Sequence, residues 1–341
     1  MFNTGDFMNI YKLLQVNRKI KSHRIKFLGL YLLHKFNQRY LAVNLDPVLA
    51  CNLRCKMCYF TDADYVKTLK GQFKPEELNQ IAKVIFSRAL KLQIGCGTEP
   101  TLYKGLPELV ALGKAYKVPY ISLTTNANLL TEEKIEDLLQ AGLNEFTISL
   151  HGVTKESYEG FMKKASYEKF HQAFKAFAKL KQKYDFKVRI NYTFNKDNFY
   201  ELKELFDRFD GKSFDILQIR PIQKIGNTEY NDFDLEVLRE DYPRVIKQIQ
   251  DNCKEHHIVL LASKNIPEKS AMNNSSLIYD YTFCYISPQK VWKEDFNWKA
   301  ETFNQYSKRI GWSKTLFSNI FKSKSALRSR SYRLNYEVDL N

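Results

Sequence analysis

Three cysteines stand at positions 51, 55 and 58 in "CNLRCKMCYF", a CxxxCxxC run just after the apolar stretch "YLAVNLDPVLA". The chain has six cysteines, too few for a disulfide scaffold, and three of them lie too close together for an ordinary staple. They read as metal ligands or redox groups, with a structural cysteine cluster as the competing reading. A structural zinc site closes four ligands around the ion, typically with a second Cys or His pair at regular spacing. Here Cys96, Cys253 and Cys284 are isolated and no HxxxH partner follows. An iron–sulfur cubane held by three thiolates keeps one iron without a protein ligand, and that iron can bind a substrate or cofactor directly.

Such a loop needs a scaffold, and one begins at residue 41. The runs "YLAVNLDPVLA", "KLQIGCG", "YISLTTN", "EFTISLHG", "KVRINYTFN" and "DILQIRPIQ" predict six strands. Between them, "KPEELNQIAKVIFSRAL", "LPELVALGKAYK", "TEEKIEDLLQAG", "SYEKFHQAFKAFAKLKQKY" and "FYELKELFDRF" predict amphipathic helices, the first opened by Pro75. Short strands alternating with helices imply an α/β fold with a parallel sheet, and six units make a partial (β/α)6 TIM-like barrel with a C-terminal extension. Chemistry in such a barrel is placed at the C-terminal ends of the strands, and the cysteine loop follows the first one.

The expected division is a basic amphipathic N-terminal helical segment over 1–40, a barrel over 41–225 and an aromatic, basic extension over 226–341. For the first segment, packing on the barrel is the plainer reading, beside docking on a membrane surface or a leader peptide.

With CxxxCxxC after the first strand, "GCGTEP" after the second and "TTNAN" after the third, the chain resembles the radical S-adenosylmethionine (radical SAM) enzymes over about 185 residues. The resemblance implies that Cys51, Cys55 and Cys58 hold a four-iron four-sulfur cluster whose open iron chelates S-adenosylmethionine. Electron transfer to the cofactor then yields methionine and a 5′-deoxyadenosyl radical, which takes a hydrogen atom from a substrate. It further implies that Gly97, Thr98 and Glu99, in the place of the family's GGEP stretch, receive the cofactor's ammonium group, and that Asn126 lines its pocket. By the same resemblance Ser149 is expected as a polar contact to the cofactor, Arg189 or Asn191 to reach its carboxylate or ribose, and Leu217 or Ile219 to meet its adenine.

Three positions depart from the family pattern. Met57 stands where an aromatic residue is usual before the third cysteine, Thr98 replaces the second glycine, and His151 occupies an Asp position of peptide-modifying relatives. A satisfied structural histidine is the commoner outcome for His151, and no catalytic residue is assigned.

Of the branches, the chain resembles most the peptide-modifying, SPASM-like one, but Cys253 and Cys284 cannot fill the ligand set of an added cubane, so a single cluster is expected. Cys96 is expected to pack inside its turn, and Cys284 to be structural rather than a hydrogen donor. Trp292, Trp298 and Trp312 are expected to anchor the extension in preference to closing over the barrel mouth.

Net charge +15 favours an acidic partner. Because the cluster needs an outside electron and Arg54 and Lys56 flank it, an acidic flavodoxin or ferredoxin is the expected donor. With no run of about 20 apolar residues and no secretory signal, the expected address is cytoplasmic. A peptide or protein substrate, a nucleic acid, a carbohydrate, and a non-catalytic iron–sulfur or zinc module all stay open; the dispersed Lys and Arg argue against a nucleic-acid groove.

Overall fold

A computed structural model describes residues 16–17, 19–266 and 277–327. Its strands in chain order are β1 (Leu41–Leu45), β2 (Arg54–Cys55), β3 (Ala89–Ile94), β4 (Tyr120–Thr125), β5 (Glu145–Leu150), β6 (Met162–Lys163), β7 (Lys187–Phe194), β8 (Ile216–Pro221), β9 (Val259–Leu261), β10 (Phe283–Ser287) and β11 (Lys290–Val291). Nine of them form one sheet in the order β11-β10-β1-β3-β4-β5-β7-β8-β9. All its pairings are parallel except β10 with β11. The end strands β9 and β11 do not pair with each other, so the barrel stays open.

The six expected strands are the middle of this sheet. The residues beyond 225 add β9 to one edge and β10 and β11 to the other, a use of the extension that the sequence reading did not assign.

Pattern and caps explain the helices. Helix Pro75–Ile85 starts on a proline, and Glu77 Oε2 accepts from the Lys74 amide at 2.9 Å. It buries Leu78, Ile81, Ala82 and Ile85, then tightens into a 3₁₀ turn over Phe86–Arg88; Ala89 and Leu90, read as helix from periodicity, open β3 instead. Thr131 caps Glu132–Gln140 and Ser166 caps Tyr167–Leu180 through their side chains. The segment after β7 was expected to be one α-helix but is 3₁₀ over Phe199–Glu204 and α only over Leu205–Arg208. Phe199, Leu202 and Leu205 recur every three residues and are all fully buried, which is the spacing a three-residue turn satisfies.

The two faces of the sheet differ. Along β1, β3, β5, β7 and β8 the outward residues are buried under the helices, whereas Asn44, Gln93, Thr147, Arg189 and Gln218 face a lumen and keep partial exposure. Parallel strands buried on both faces read as continuous apolar runs; this alternation therefore marks an interior that is not filled with hydrophobic side chains. Toward the N-terminal ends of the strands, Glu145 closes the lumen: it is fully buried, pairs with Arg189 at 2.8 Å and accepts from Tyr120 Oη at 2.6 Å.

At the chain's two ends, helix His23–Lys35 lies against helix Trp312–Asn319 and buries Phe27 and Leu30. Residues 1–15 of the expected N-terminal segment lie outside the described residues. Trp292 and Trp312 are buried with Phe303 and Tyr306, and Trp292 Nε1 donates to the Phe283 carbonyl at 3.1 Å; the two tryptophans anchor the extension to β10. Cys253 and Cys284 are buried singly, one on helix Tyr242–Glu255 beside β9 and the other on β10, toward opposite edges of the sheet.

Candidate functional site

β1 delivers the chain to Asp46 and then to the cysteine loop, which is tied down at several points. Its strand β2 pairs antiparallel with β6, the Lys56 amide donates to the Phe161 carbonyl at 2.9 Å, and the Glu99 amide donates to the Ala50 carbonyl at 2.8 Å. Arg54 turns inward, its Nη1 donating to the carbonyls of Cys51 (2.9 Å) and Leu53 (2.7 Å), so this cation braces the loop and is not spread on the surface.

Burial and neighbouring groups disfavour ionisation of the three thiols. Burial pushes Cys51 up to about 12, with further upward contributions from Glu99 and Cys58. Burial pushes Cys55 well above its ordinary value, with Cys58 and Cys51 adding to it, and Cys58 is raised by burial as well. Three half-buried thiols whose ionisation is disfavoured are a donor set that a bound cationic centre would convert to thiolates. Among the described residues, no three His, Cys, Asp or Glu side chains converge on a point where one ion would sit. A cubane held by three thiolates keeps one iron open, and three thiols on one loop match that donor set.

Opposite the loop, the turn after β3 carries Cys96, Gly97, Thr98 and Glu99. Asp46, which the sequence reading did not single out, organises it. The Asp46 side chain is fully buried; Oδ1 accepts from the Cys96 amide at 2.7 Å and Thr98 Oγ1 at 3.0 Å, and Oδ2 from the Gly97 amide at 3.2 Å and Tyr285 Oη at 2.8 Å. The available signal was an acid immediately after a strand and before a proline, "LDP".

Two glycines shape this turn. Gly95 has φ +81°, and a Cβ there would meet the Thr124 carbonyl oxygen at 2.4 Å. At Gly97 a Cβ would meet Tyr59 Oη at 2.6 Å, and that hydroxyl donates to the Gly97 carbonyl.

Glu99 is 2% exposed and bridges two strand ends: Oε1 accepts from the Thr101 amide (3.2 Å), Thr101 Oγ1 (2.5 Å) and Thr125 Oγ1 (2.7 Å), and Oε2 from the Asn126 amide (2.9 Å). Burial raises its pKa, and these donors pull it back. Asn126 is buried; its Nδ2 donates to Asn52 Oδ1 at 2.9 Å, which joins the β4 end to the cysteine loop. The structure thus brings Cys51, Cys55, Cys58, Gly97, Thr98, Glu99 and Asn126 into one hydrogen-bonded mouth.

Ser149 and Asn191 are register partners on the lumen face of β5 and β7, and Asn191 Oδ1 is buried with no partner. Arg189 sits one layer lower, held by Glu145 and by Gln218 Oε1 at 3.2 Å. Leu217 and Ile219 do not join them: both are buried on the outward face with Ile190 and Tyr192, and the lumen side of β8 is Gln218 and Arg220. Alternation of polar residues at 218 and 220 was the signal for that. Cys96 also departs from its expected packing role, for it is exposed at the mouth with its Sγ 3.5 Å from Asn44 Oδ1.

His151 is buried at the end of β5, where its Nδ1 has no partner; burial, then the neighbouring Arg220, lower its pKa to about 3. Met57 is partly buried against the core. Among the described residues, no helix is long and apolar enough to cross a membrane.

Residues 46–209 match the family model of the radical SAM superfamily. The GTP 3′,8-cyclase of Aquifex aeolicus is 27% identical over 181 residues, 51% of this chain and 55% of that protein. The chain thus spans little more than half the length of that relative. Streptococcus suis SuiB bound to S-adenosylmethionine superposes with TM-score 0.59 and 18% identity over 95% of this chain and 76% of its own. SuiB bound to the precursor peptide SuiA gives TM-score 0.59 and 16% identity over 95% and 74%.

Proposed function

We propose that this chain is a radical SAM enzyme using a four-iron four-sulfur cluster and S-adenosylmethionine, a reading supported by the match of residues 46–209 to that family model, and that Cys51, Cys55 and Cys58 are the ligands of the cluster. The observation that carries this reading is the set of three half-buried thiols on the loop that leaves β1, held against the turn after β3 and the end of β4 by the Glu99–Ala50 and Asn126–Asn52 hydrogen bonds. Bound there, the cluster and cofactor supply a 5′-deoxyadenosyl radical that abstracts a hydrogen atom from substrate.

The chain's own residues have separate tasks in this proposal. Gly97 and Thr98, with Glu99 behind them, present the turn to the cofactor's ammonium group, and Asp46 holds that turn from below. Asn126 fixes the cysteine loop against the end of β4. Ser149 and Asn191 face the lumen where the rest of the cofactor would lie, and the unsatisfied Asn191 Oδ1 supplies an acceptor for a hydroxyl or amine. Arg189, already paired with Glu145, acts as a wall of the lumen and not as a free anion binder.

The substrate in this reading is a peptide or protein, entering the polar lumen. Support comes from the extent of the likeness to the peptide-bound SuiB fold, which covers the C-terminal part as well as the barrel. The electron donor is an acidic flavodoxin or ferredoxin, and the basic chain is expected to act in the cytoplasm. The curated relative that matches half of the chain favours GTP as a second substrate reading. Both are tested by 5′-deoxyadenosine formation with reduced enzyme, given GTP in one series and a deuterated pool of cellular peptides in the other. The peptide reading predicts faster turnover and deuterium in 5′-deoxyadenosine with peptides alone; stimulation by GTP alone would replace it with the second.

A further inference from the structure

Helix His23–Lys35 is apolar on two sides. One side docks on the protein through Phe27, whose ring meets Tyr281 at 5.5 Å, and through Leu30. The other side is a stripe of Ile25, Leu28, Leu32, Leu33 and, just past the helix, Phe36, all exposed, with Phe36 67% exposed. Positions 25, 28, 32 and 36 recur at three- and four-residue spacing, so they line one face along the whole helix. Tyr31 carries the apolar surface to the neighbouring helix: its ring lies 5.3 Å from Phe317, which lies 5.4 Å from Phe321, itself 68% exposed. His23 Nε2 meets the Lys322 carbonyl at 3.0 Å, which ties the two segments together at this face. Single exposed apolar residues need no explanation, but a contiguous patch across two elements does.

Charge identifies what covers it. Between Asp6 and Asp46 the sequence has eight Lys or Arg and no Asp or Glu, and between Glu301 and Glu337 it again has eight and none. The two segments that build the patch are thus the two longest acid-free basic stretches at the ends of the chain. A second copy of the same face would bring like charges together, and the patch lies on helices apart from the barrel mouth that holds the cysteines.

We propose that this face is a membrane-docking surface, with helix His23–Lys35 lying flat in the headgroup region of an anionic bilayer. Ile25, Leu28, Leu32, Leu33, Phe36, Phe317 and Phe321 enter the acyl boundary, and Arg24, Lys21, Lys35 and Lys322 meet the lipid phosphates. The arrangement is peripheral: it carries the barrel on the surface and needs no spanning helix.

The test is co-sedimentation of the full chain with vesicles of phosphatidylcholine alone and of phosphatidylcholine with phosphatidylglycerol. Binding is expected only to the anionic vesicles, weakening as sodium chloride is raised. The double variants Leu28→Ser with Leu32→Ser, and Phe36→Ser with Phe321→Ser, are each expected to weaken it about tenfold or more. Because these side chains are exposed, melting temperature and iron content are expected to match the parent. No binding to either vesicle, equal binding to both, or binding untouched by the variants would overturn the proposal. So would a dimer on light scattering that the same variants dissociate, since the face would then serve a second copy.

Discussion

Replacing Asp46 with asparagine changes one atom at the base of the cofactor turn. The parent carboxylate accepts from two backbone amides, Cys96 at 2.7 Å and Gly97 at 3.2 Å, and from two hydroxyls. Asparagine keeps one oxygen; placed at the Oδ1 position it keeps the Cys96 amide and leaves the Gly97 amide only its longer 3.4 Å contact to that oxygen, the 3.2 Å partner having become an NH2 group. Thr98 and Tyr285 can rotate their hydroxyls; a backbone amide cannot. Weakening the Gly97 amide's bond and turning the charge-assisted bonds into neutral ones together cost about 1–2 kcal/mol. A destabilisation of about 1–2 kcal/mol confined to this turn corresponds to a loss of S-adenosylmethionine affinity of roughly fivefold to thirtyfold. Equilibrium dialysis with labelled cofactor reads the affinity, while iron content and a thermal melt confirm that the cysteine loop and barrel are retained. Unchanged affinity in a folded, iron-loaded variant would refute the assignment of Asp46 as the residue that positions the turn.

Other changes have equally defined outcomes. Gly97→Ala is expected to weaken cofactor binding because its Cβ would sit 2.6 Å from Tyr59 Oη, and adding Tyr59→Phe should recover part of the loss; no recovery in the double variant would place the defect elsewhere. For Cys96→Ala, cluster content is expected to match the parent, because this thiol stands in the turn after β3 and not on the cysteine loop; loss of iron would contradict that separation. His151 is held neutral to about pH 3 in the fold but binds a proton near its ordinary 6.5 when unfolded, so its contribution to stability is present above 6.5 and is lost as pH falls toward 3. Glu99, raised by burial, works in the opposite sense, so the readout is a difference: the urea midpoint of His151→Asn should fall less than the parent's between pH 6.5 and 4, and parallel slopes would contradict it.

The strands of the barrel were legible because each is a short run bounded by a cap, a glycine or a proline, and the cysteine spacing is local to one loop. What escaped depended on partners distant in sequence. Nothing near Asp46 announces that Cys96, Thr98 and Tyr285 will converge on it, and β10, in a mixed aromatic stretch, becomes a strand only because the edge of β1 is open to it. Leu217 or Ile219 was expected to meet the adenine; both lie on the outward face, which the period-two pattern with Gln218 and Arg220 made legible. Glu99 was expected to face the cofactor; that the Thr101, Thr125 and Asn126 donors already occupy much of its carboxylate is a tertiary fact.

The most direct test of the central claim is anaerobic reconstitution with iron and sulfide, reduction with dithionite and addition of S-adenosylmethionine, with iron and 5′-deoxyadenosine quantified together. The account predicts about four irons per chain and formation of 5′-deoxyadenosine, both lost when Cys55 becomes alanine. Zinc in place of iron, or a cluster that leaves the cofactor intact, would contradict it.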